Sequence, residues 1–363
     1  MTDSVDIANA PHPTNDSERL LFRQLFETLV RLDCEGKARP NLALSWSADS
    51  GRRVWNFTLH DSSSSARTTE AATSIVSSWR RRLADVRLLG VESASAQGNR
   101  LSVSMREPLD SAPLLFADPA IAVSDATDSA SLQISETGIL SLGPRRLINY
   151  RIEPGADPRD VLDRGADLMV TRDPALLEYA GSKAGVATFP LPWSRTYVLL
   201  QLAGAEAVPP SVAQDAVKGD ARSAEPPFWW EDRRHTCAEP AASSQTATSS
   251  RVVYPRGDEA ARGLAERIVA LAGSEAGLRA TALNASELSA ALAGGIERAY
   301  ILPVPRQSLA PCRDSAGWPA GATLRPLIDT RAHAIVRRGT PPLGVDWDGT
   351  VRLDEEWTGR DQP

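Results

Sequence analysis

The chain has 363 residues, 42% of them hydrophobic and 24% charged, with 40 Lys and Arg against 46 Asp and Glu for a net charge of -6. Such a length predicts about two compact lobes with cores of their own, and the acidic balance leaves no basic excess to neutralise phosphates, which excludes nucleic acid as the first partner to consider. Cys34, Cys237 and Cys312 stand far apart with no CxxC or Cys/His cluster, so neither a disulfide framework nor a zinc site is written here, and no cofactor is expected.

The longest apolar runs fall short of the ~18 residues of a bilayer span, and the first 17 residues lack the basic start and apolar stretch of a secretory leader. With Pro11, Pro13, Asn9 and Asn15 and little apolar content, residues 1–16 read as a disordered leader. Ser17 is expected to cap a helix in which Leu21, Phe22, Leu25, Phe26, Leu29 and Val30 make one apolar stripe, ended by Gly36 and Pro40. After the Asp49-Ser50-Gly51 turn, Trp55, Phe57 and Leu59 alternate with Asn56, Thr58 and His60, the period of a half-buried strand. Ala72, Ile75, Val76, Trp79 and Leu83 predict a second amphipathic helix, and the strands around Gln97-Gly98-Asn99 a hairpin. Residues up to about 142 thus read as a small α+β unit with antiparallel strands.

Further on, Leu168, Met169 and Val170 suit a buried strand, and from Ala203 to Ser250 the pattern dissolves into Pro, Ala, Ser, Thr and charge, broken by Phe228-Trp229-Trp230. Order returns with a strand at Arg251–Tyr254, a helix capped by Asp258 and carrying Ala261, Leu264, Ala265 and Ile268, a strand at Leu278–Leu283, a short helix, and a strand at Ala299–Val304. This βαβαβ run demands a parallel sheet, with a ligand crevice beyond the carboxyl ends of its strands.

No Walker A loop, GxGxxG, HExxH or GxSxG occurs, and none of the four histidines has a partner at diagnostic spacing. His60-Asp61 reads as a catalytic pair or as a strand-end turn, and Asp346, Asp348-Gly349 and Asp354 as the start of a calcium loop or as a hairpin turn between Val345-Trp347 and Val351-Leu353. Phe228-Trp229-Trp230 either caps a ligand or pins its loop to the core. With no nucleophile and base placed together, no catalytic residue is assigned and the chain is not read as an enzyme.

The order Leu25-Phe26-Glu27-Thr28-Leu29-Val30-Arg31-Leu32-Asp33, Gly36, Pro40, Leu42-Ala43, Ser45-Trp46 and Trp55-Asn56-Phe57-Thr58-Leu59 resembles the family 5 extracellular solute-binding proteins, receptors of ABC importers for dipeptides, oligopeptides and nickel. Ile75-Val76 with Ser78-Trp79, Gly143-Pro144 with Leu147, Val161-Leu162 with Gly165 and Asp167-Leu168, and Val253-Tyr254-Pro255 continue the likeness, discontinuously from about residue 18 to 357. The resemblance implies an α/β, two-lobed, type II periplasmic-binding-protein-like fold with a small extra α+β domain. It places 17–48, 143–205 and 320–363 in one lobe, 49–142 in the small domain, and 206–319, irregular over 206–250, in the second lobe.

It also implies capture of a small polar or peptide-like ligand without chemistry, an ABC permease as partner, a monomeric state and an extracytoplasmic location, with a cytosolic ligand sensor of the same fold as the alternative. The expected ligand contacts are Trp193 and Arg195 from one side and Phe228, Trp229, Trp230 and Arg306 from the other, with no metal ligand among them. Where the family often carries an acidic residue able to meet a peptide's amino group, this chain reads Ile301-Leu302-Pro303-Val304-Pro305-Arg306. An unpaired buried ammonium is costly there. Arg306 and Arg313 point to an acidic ligand, or are surface arginines in an Arg-rich protein.

Overall fold

The computed structural model describes residues 1–7, 10–11, 13, 15–33, 37–60, 65–81, 90–124, 139–142, 148–201, 208–224, 235–236, 250–295, 297–306, 322–340 and 343–352. The chain divides into two compact units, 1–192 with 332–363, and 193–331. Both crossings fall inside long strands, where the sequence places its borders at 205/206 and 319/320.

In the first unit, helix α1 (Asp16–Leu25) is capped by Asn15 and not by Ser17: the Asn15 side chain accepts from Glu18 N at 2.9 Å, while Ser17 N and Oγ donate to the Asp3 carboxylate at 3.3 and 2.8 Å. The opening residues, expected to be disordered, pack instead. Met1 and Val5 lie against Leu21, Phe22 and Tyr150, and Asp6 N donates to Glu18 at 2.9 Å. The helix also stops at Leu25, before the end of its apolar stripe. Phe26–Glu27 pairs with Val123–Ser124, and Leu29 and Val30 enter a different core from Leu21 and Phe22. Tertiary pairing thus overrides the helical period.

That second core lies under a four-stranded antiparallel sheet of β1 (Ala43–Ala48), β2 (Val54–Leu59), β3 (Val91–Gln97) and β4 (Arg100–Met105), in the order β1-β2-β4-β3. Trp55, Phe57 and Leu59 face inward, as their alternation predicts, and helix α2 (Ser65–Arg81) covers them with Ala72, Ile75, Val76 and Trp79. Leu83 lies outside the described residues. Phe116 meets Phe57 edge-on at 4.9 Å and stacks on Trp79 at 5.9 Å, and Trp79 Nε1 donates to the Ile121 carbonyl at 2.9 Å. Trp79→Phe should keep the packing and lose this buried bond, lowering stability by about 1–2 kcal/mol, to be read as a lower urea midpoint at unchanged m-value.

Strand β5 (Leu168–Thr171) pairs antiparallel with His333–Val336 of a later strand and is half-buried along its length, not fully buried as its apolar run predicts. Near the end of the chain, β11 (Gly344–Val345) and β12 (Val351–Arg352) form the expected hairpin. Its loop is tied to α1 by Arg23 to Asp348 at 2.8 Å and by Gln24 Nε2 to the Val351 carbonyl at 2.7 Å.

The second unit begins within β6 (Val186–Gln201). Helix α3 (Pro210–Lys218) follows, inside the stretch expected to be irregular. Ala213, Ala216 and Val217 recur on its buried face, a stripe with too little bulk to stand out in an Ala-rich sequence. The βαβαβ run then appears as expected: β7 (Arg251–Pro255), α4 (Glu259–Ala272), β8 (Arg279–Leu283), α5 (Ala285–Gly294) and β9 (Ala299–Pro305), with β7 between β9 and β8 and parallel to both. Ala261, Leu264, Ala265 and Ile268 seat α4 on the sheet, and Arg267 Nε ties it to the Ala216 carbonyl of α3 at 2.9 Å. β10 (Thr323–Arg337) runs beside β6 and leaves this unit at Arg331.

Candidate functional site

The three parallel strands end together at Pro255, Leu283 and Pro305. Because β6 runs antiparallel to β9 with Arg195 opposite Pro305, the residues that begin β6 within this unit reach that same edge. Trp193, Arg195 and Arg306 therefore come together there, and Arg306 N donates to the Ser194 carbonyl at 3.1 Å. All three belong to one unit, where the sequence reading sets Arg306 across from the other two. Phe228, Trp229, Trp230 and Arg313 lie outside the described residues.

Contacts at the edge centre on two carboxylates, Asp258 and Asp329. On one side the Tyr197 hydroxyl donates to Asp258, 2.8 and 2.9 Å from its two oxygens, and Arg195 Nη1 stands 3.8 Å from the same carboxylate. Asp258 also caps α4 by accepting from Ala261 N at 3.0 Å. Burial, and then the Asp258 charge, push the Tyr197 phenol well above its usual range against the opposing pull of Arg195. The hydroxyl is therefore a fixed donor at neutral pH and not a base.

On the other side Asp329 accepts from Thr196 Oγ1 at 2.6 Å and from Arg306 Nε at 2.8 Å. Arg331, two residues along β10, lays its guanidinium 4.7 Å from the centre of the Trp193 ring. Asp329 and Arg331 are half-exposed, while Ile328 and Thr330 between them are buried, so the two charged side chains share one face. Tyr197, Asp329 and Arg331 were not picked out by sequence reasoning. The Asp329-Thr330-Arg331 run, set between apolar Leu327-Ile328 and Ala332 in the middle of β10, is the signal that could have found the last two.

The edge thus offers guanidinium donors, an indole face and hydroxyls, the groups of a recognition surface. Among the described residues no group of three or more His, Cys, Asp and Glu is placed to hold a metal ion. His60 is an exposed residue at the end of β2, its backbone N donating to the Leu42 carbonyl at 3.2 Å, and Asp61 lies outside the described residues. A shallow depression open to solvent lies elsewhere, in the first unit, between Pro11, Pro13, Phe22, Phe26 and Pro119.

No family model matches the chain, and no curated protein matches it in sequence. Solved structures do match it in fold. The chain is similar to the Escherichia coli murein tripeptide binding protein MppA, with TM-score 0.60 and 14% identity over 96% of this chain and 95% of that one. It is equally similar, at TM-score 0.60 and 10% identity over 94% of this chain and 95% of that one, to a dipeptide binding protein from Pseudoalteromonas sp. SM9913 in complex with Met-Leu. NikA from Brucella suis, in complex with Fe(III)-EDTA, matches at TM-score 0.59 and 12% identity over 92% of this chain and 94% of that one.

The fold is that of the type II periplasmic binding proteins. These periplasmic-binding-protein relatives in structure are binding proteins and not enzymes. In this chain's version of the binding-protein fold, the second unit keeps the parallel strands and capped helix α4 that bring Asp258, Arg195 and Arg306 to one edge.

Proposed function

We propose that this chain is a solute-binding protein that captures a small polar or peptide-like ligand and serves an ABC importer as its extracytoplasmic receptor. The observation that carries the reading is the match of more than nine-tenths of the chain to binding proteins of this fold. The Trp193, Arg195 and Arg306 edge of the second unit supports it, because it supplies recognition groups at the carboxyl ends of parallel strands, where ligands of open α/β sheets bind. In this reading the Arg306, Arg331 and Trp193 side meets the ligand, and Arg195 holds the Tyr197–Asp258 side of the edge in place. The Phe228 to Trp230 aromatics are proposed as a further contact.

A thermal-shift screen over peptides, dicarboxylates, sugars and metal chelates tests it. A ligand that binds only the folded chain should stabilise it by RT ln(1 + [L]/Kd), about 2.7 kcal/mol at a hundredfold excess over Kd. Mass analysis after incubation should return each hit unchanged. Reproducible conversion of a bound compound would move the protein into the enzyme class.

A further inference from the structure

We infer that Asp329 is a positioning residue of the ligand edge: held by Thr196, it orients the Arg306 guanidinium so that the two terminal amino groups of Arg306 are presented to an oxygen acceptor of the solute. The inference rests on the solute-binding reading and names how one contact of that edge is built.

Three neighbouring strands meet in this arrangement. β6 lies between β9 and β10 in the sheet; Thr196 stands on β6, Asp329 on β10, and Arg306 directly follows β9. Each Asp329 oxygen holds one donor. Oδ1 accepts from Thr196 Oγ1 at 2.6 Å and Oδ2 accepts from Arg306 Nε at 2.8 Å, so Arg306 reaches across β6 to a carboxylate that β6 itself steadies. The Arg306 backbone is fixed as well, by its N–H on the Ser194 carbonyl at 3.1 Å.

What remains of Arg306 is its recognition end. A guanidinium presents five N–H donors in a planar fork, and Asp329 takes only the one on Nε. The two terminal amino groups have no partner among the described residues, and the side chain is 35% exposed, so a solute can reach it. A long arginine side chain loses rotamer freedom when it binds, and one already held at its backbone and at Nε has less to lose. Asp329 thereby favours binding without touching the solute. An ion pair as exposed as this one contributes little to stability. Its replacement should therefore appear in affinity and not in the unfolding midpoint, which separates positioning from a structural role.

The test uses the whole chain and the thermal-shift screen of peptides, dicarboxylates, sugars and metal chelates, with dialanine, succinate, glucose and nickel–EDTA as the reference member of each class. Each compound that binds is titrated by calorimetry against Arg306→Ala, Asp329→Asn, Thr196→Val, Thr196→Ser and the Arg306→Ala/Asp329→Asn double variant, and every variant is unfolded in urea. The expected result is that Arg306→Ala and Asp329→Asn each weaken binding about tenfold or more, Thr196→Val at least about threefold, and Thr196→Ser, which keeps the hydroxyl, less than about twofold. Adding Asp329→Asn to Arg306→Ala should cost no further affinity, because a group that acts through Arg306 then has nothing left to orient. Thr196→Val leaves the Asp329–Arg306 pair in place, so its effect reports on positioning even if Asp329→Asn perturbs the fold. An Asp329→Asn loss of the same size with and without the Arg306 guanidinium would overturn the inference. So would unchanged affinity in Arg306→Ala, in Asp329→Asn or in Thr196→Val, and in each of these outcomes the solute-binding reading stands, because the wild type still binds. If no compound of the four classes binds the wild type, the solute-binding reading is overturned and the inference with it.

Discussion

Arg23→Met should destabilise the protein by about 3–5 kcal/mol, because it leaves the Asp348 carboxylate in a largely buried site without its counter-ion. Arg23 and Asp348 meet at 2.8 Å with side chains only 13% and 22% exposed, joining the first helix to the last hairpin across nearly the whole chain length. Burial alone would raise Asp348, but the charge and hydrogen bond of Arg23 outweigh it and hold the carboxyl down to about 2 from an ordinary 3.8. A carboxylate depressed in this way contributes stability that is fully present above its unfolded value and is lost as pH falls through its folded one, here about 2 kcal/mol between roughly pH 4 and pH 2. Asp346 works in the opposite sense. Burial raises it despite Arg23, so acidification relieves it and partly offsets the loss from Asp348. In the variant, Asp348 keeps its burial with only the Arg19 charge and the Thr350 N hydrogen bond to oppose it, so its carboxyl is held down less. The stability gap between wild type and variant should therefore be widest at neutral pH and narrow below about pH 4. Chemical denaturation at a series of pH values checks both the size and the slope; a gap independent of pH would show that lost packing, and not the ion pair, dominates.

Asp258→Ala should cost about 3 kcal/mol, whereas Asp258→Asn should cost less than about 1. The alanine removes the cap of α4, worth about 1 kcal/mol. It also strips the acceptor from a Tyr197 hydroxyl whose side chain is 1% exposed, and an unsatisfied buried donor costs a further 1–3 kcal/mol. Asparagine can still accept from Ala261 N and from Tyr197 through its side-chain oxygen, so only the charge facing Arg195 is lost. Equilibrium unfolding of the two variants separates the roles. Equal losses would mean that the charge on Asp258, and not its geometry as an acceptor, holds the edge together.

The elements that the sequence determined by itself are those whose signal is local. The alternation of Trp55, Phe57 and Leu59 needs only a period of two and one buried face, and β2 follows. Asp258 ahead of Ala261, Leu264, Ala265 and Ile268 carries its own cap and its own apolar stripe, and the strand–helix alternation of residues 251–305 leaves a parallel sheet as the only short-connection solution. Trp193, Arg195 and Arg306 were candidates on opposite sides of an expected cleft, and only the pairing of β6 with β9 brings them to one edge.

Tertiary structure decided what depended on partners far along the chain. Residues 26–30 continue the helical stripe of α1, yet they become strand and core because Val123–Ser124 and the small sheet offer them more burial than another helical turn would. Asp329 and Arg331 carry no motif. They become part of the candidate site only when β10 is laid beside β6 and Thr196, Trp193 and Arg306 arrive from strands more than twenty residues away in sequence, and such non-local pairing leaves no period for a local pattern to reveal.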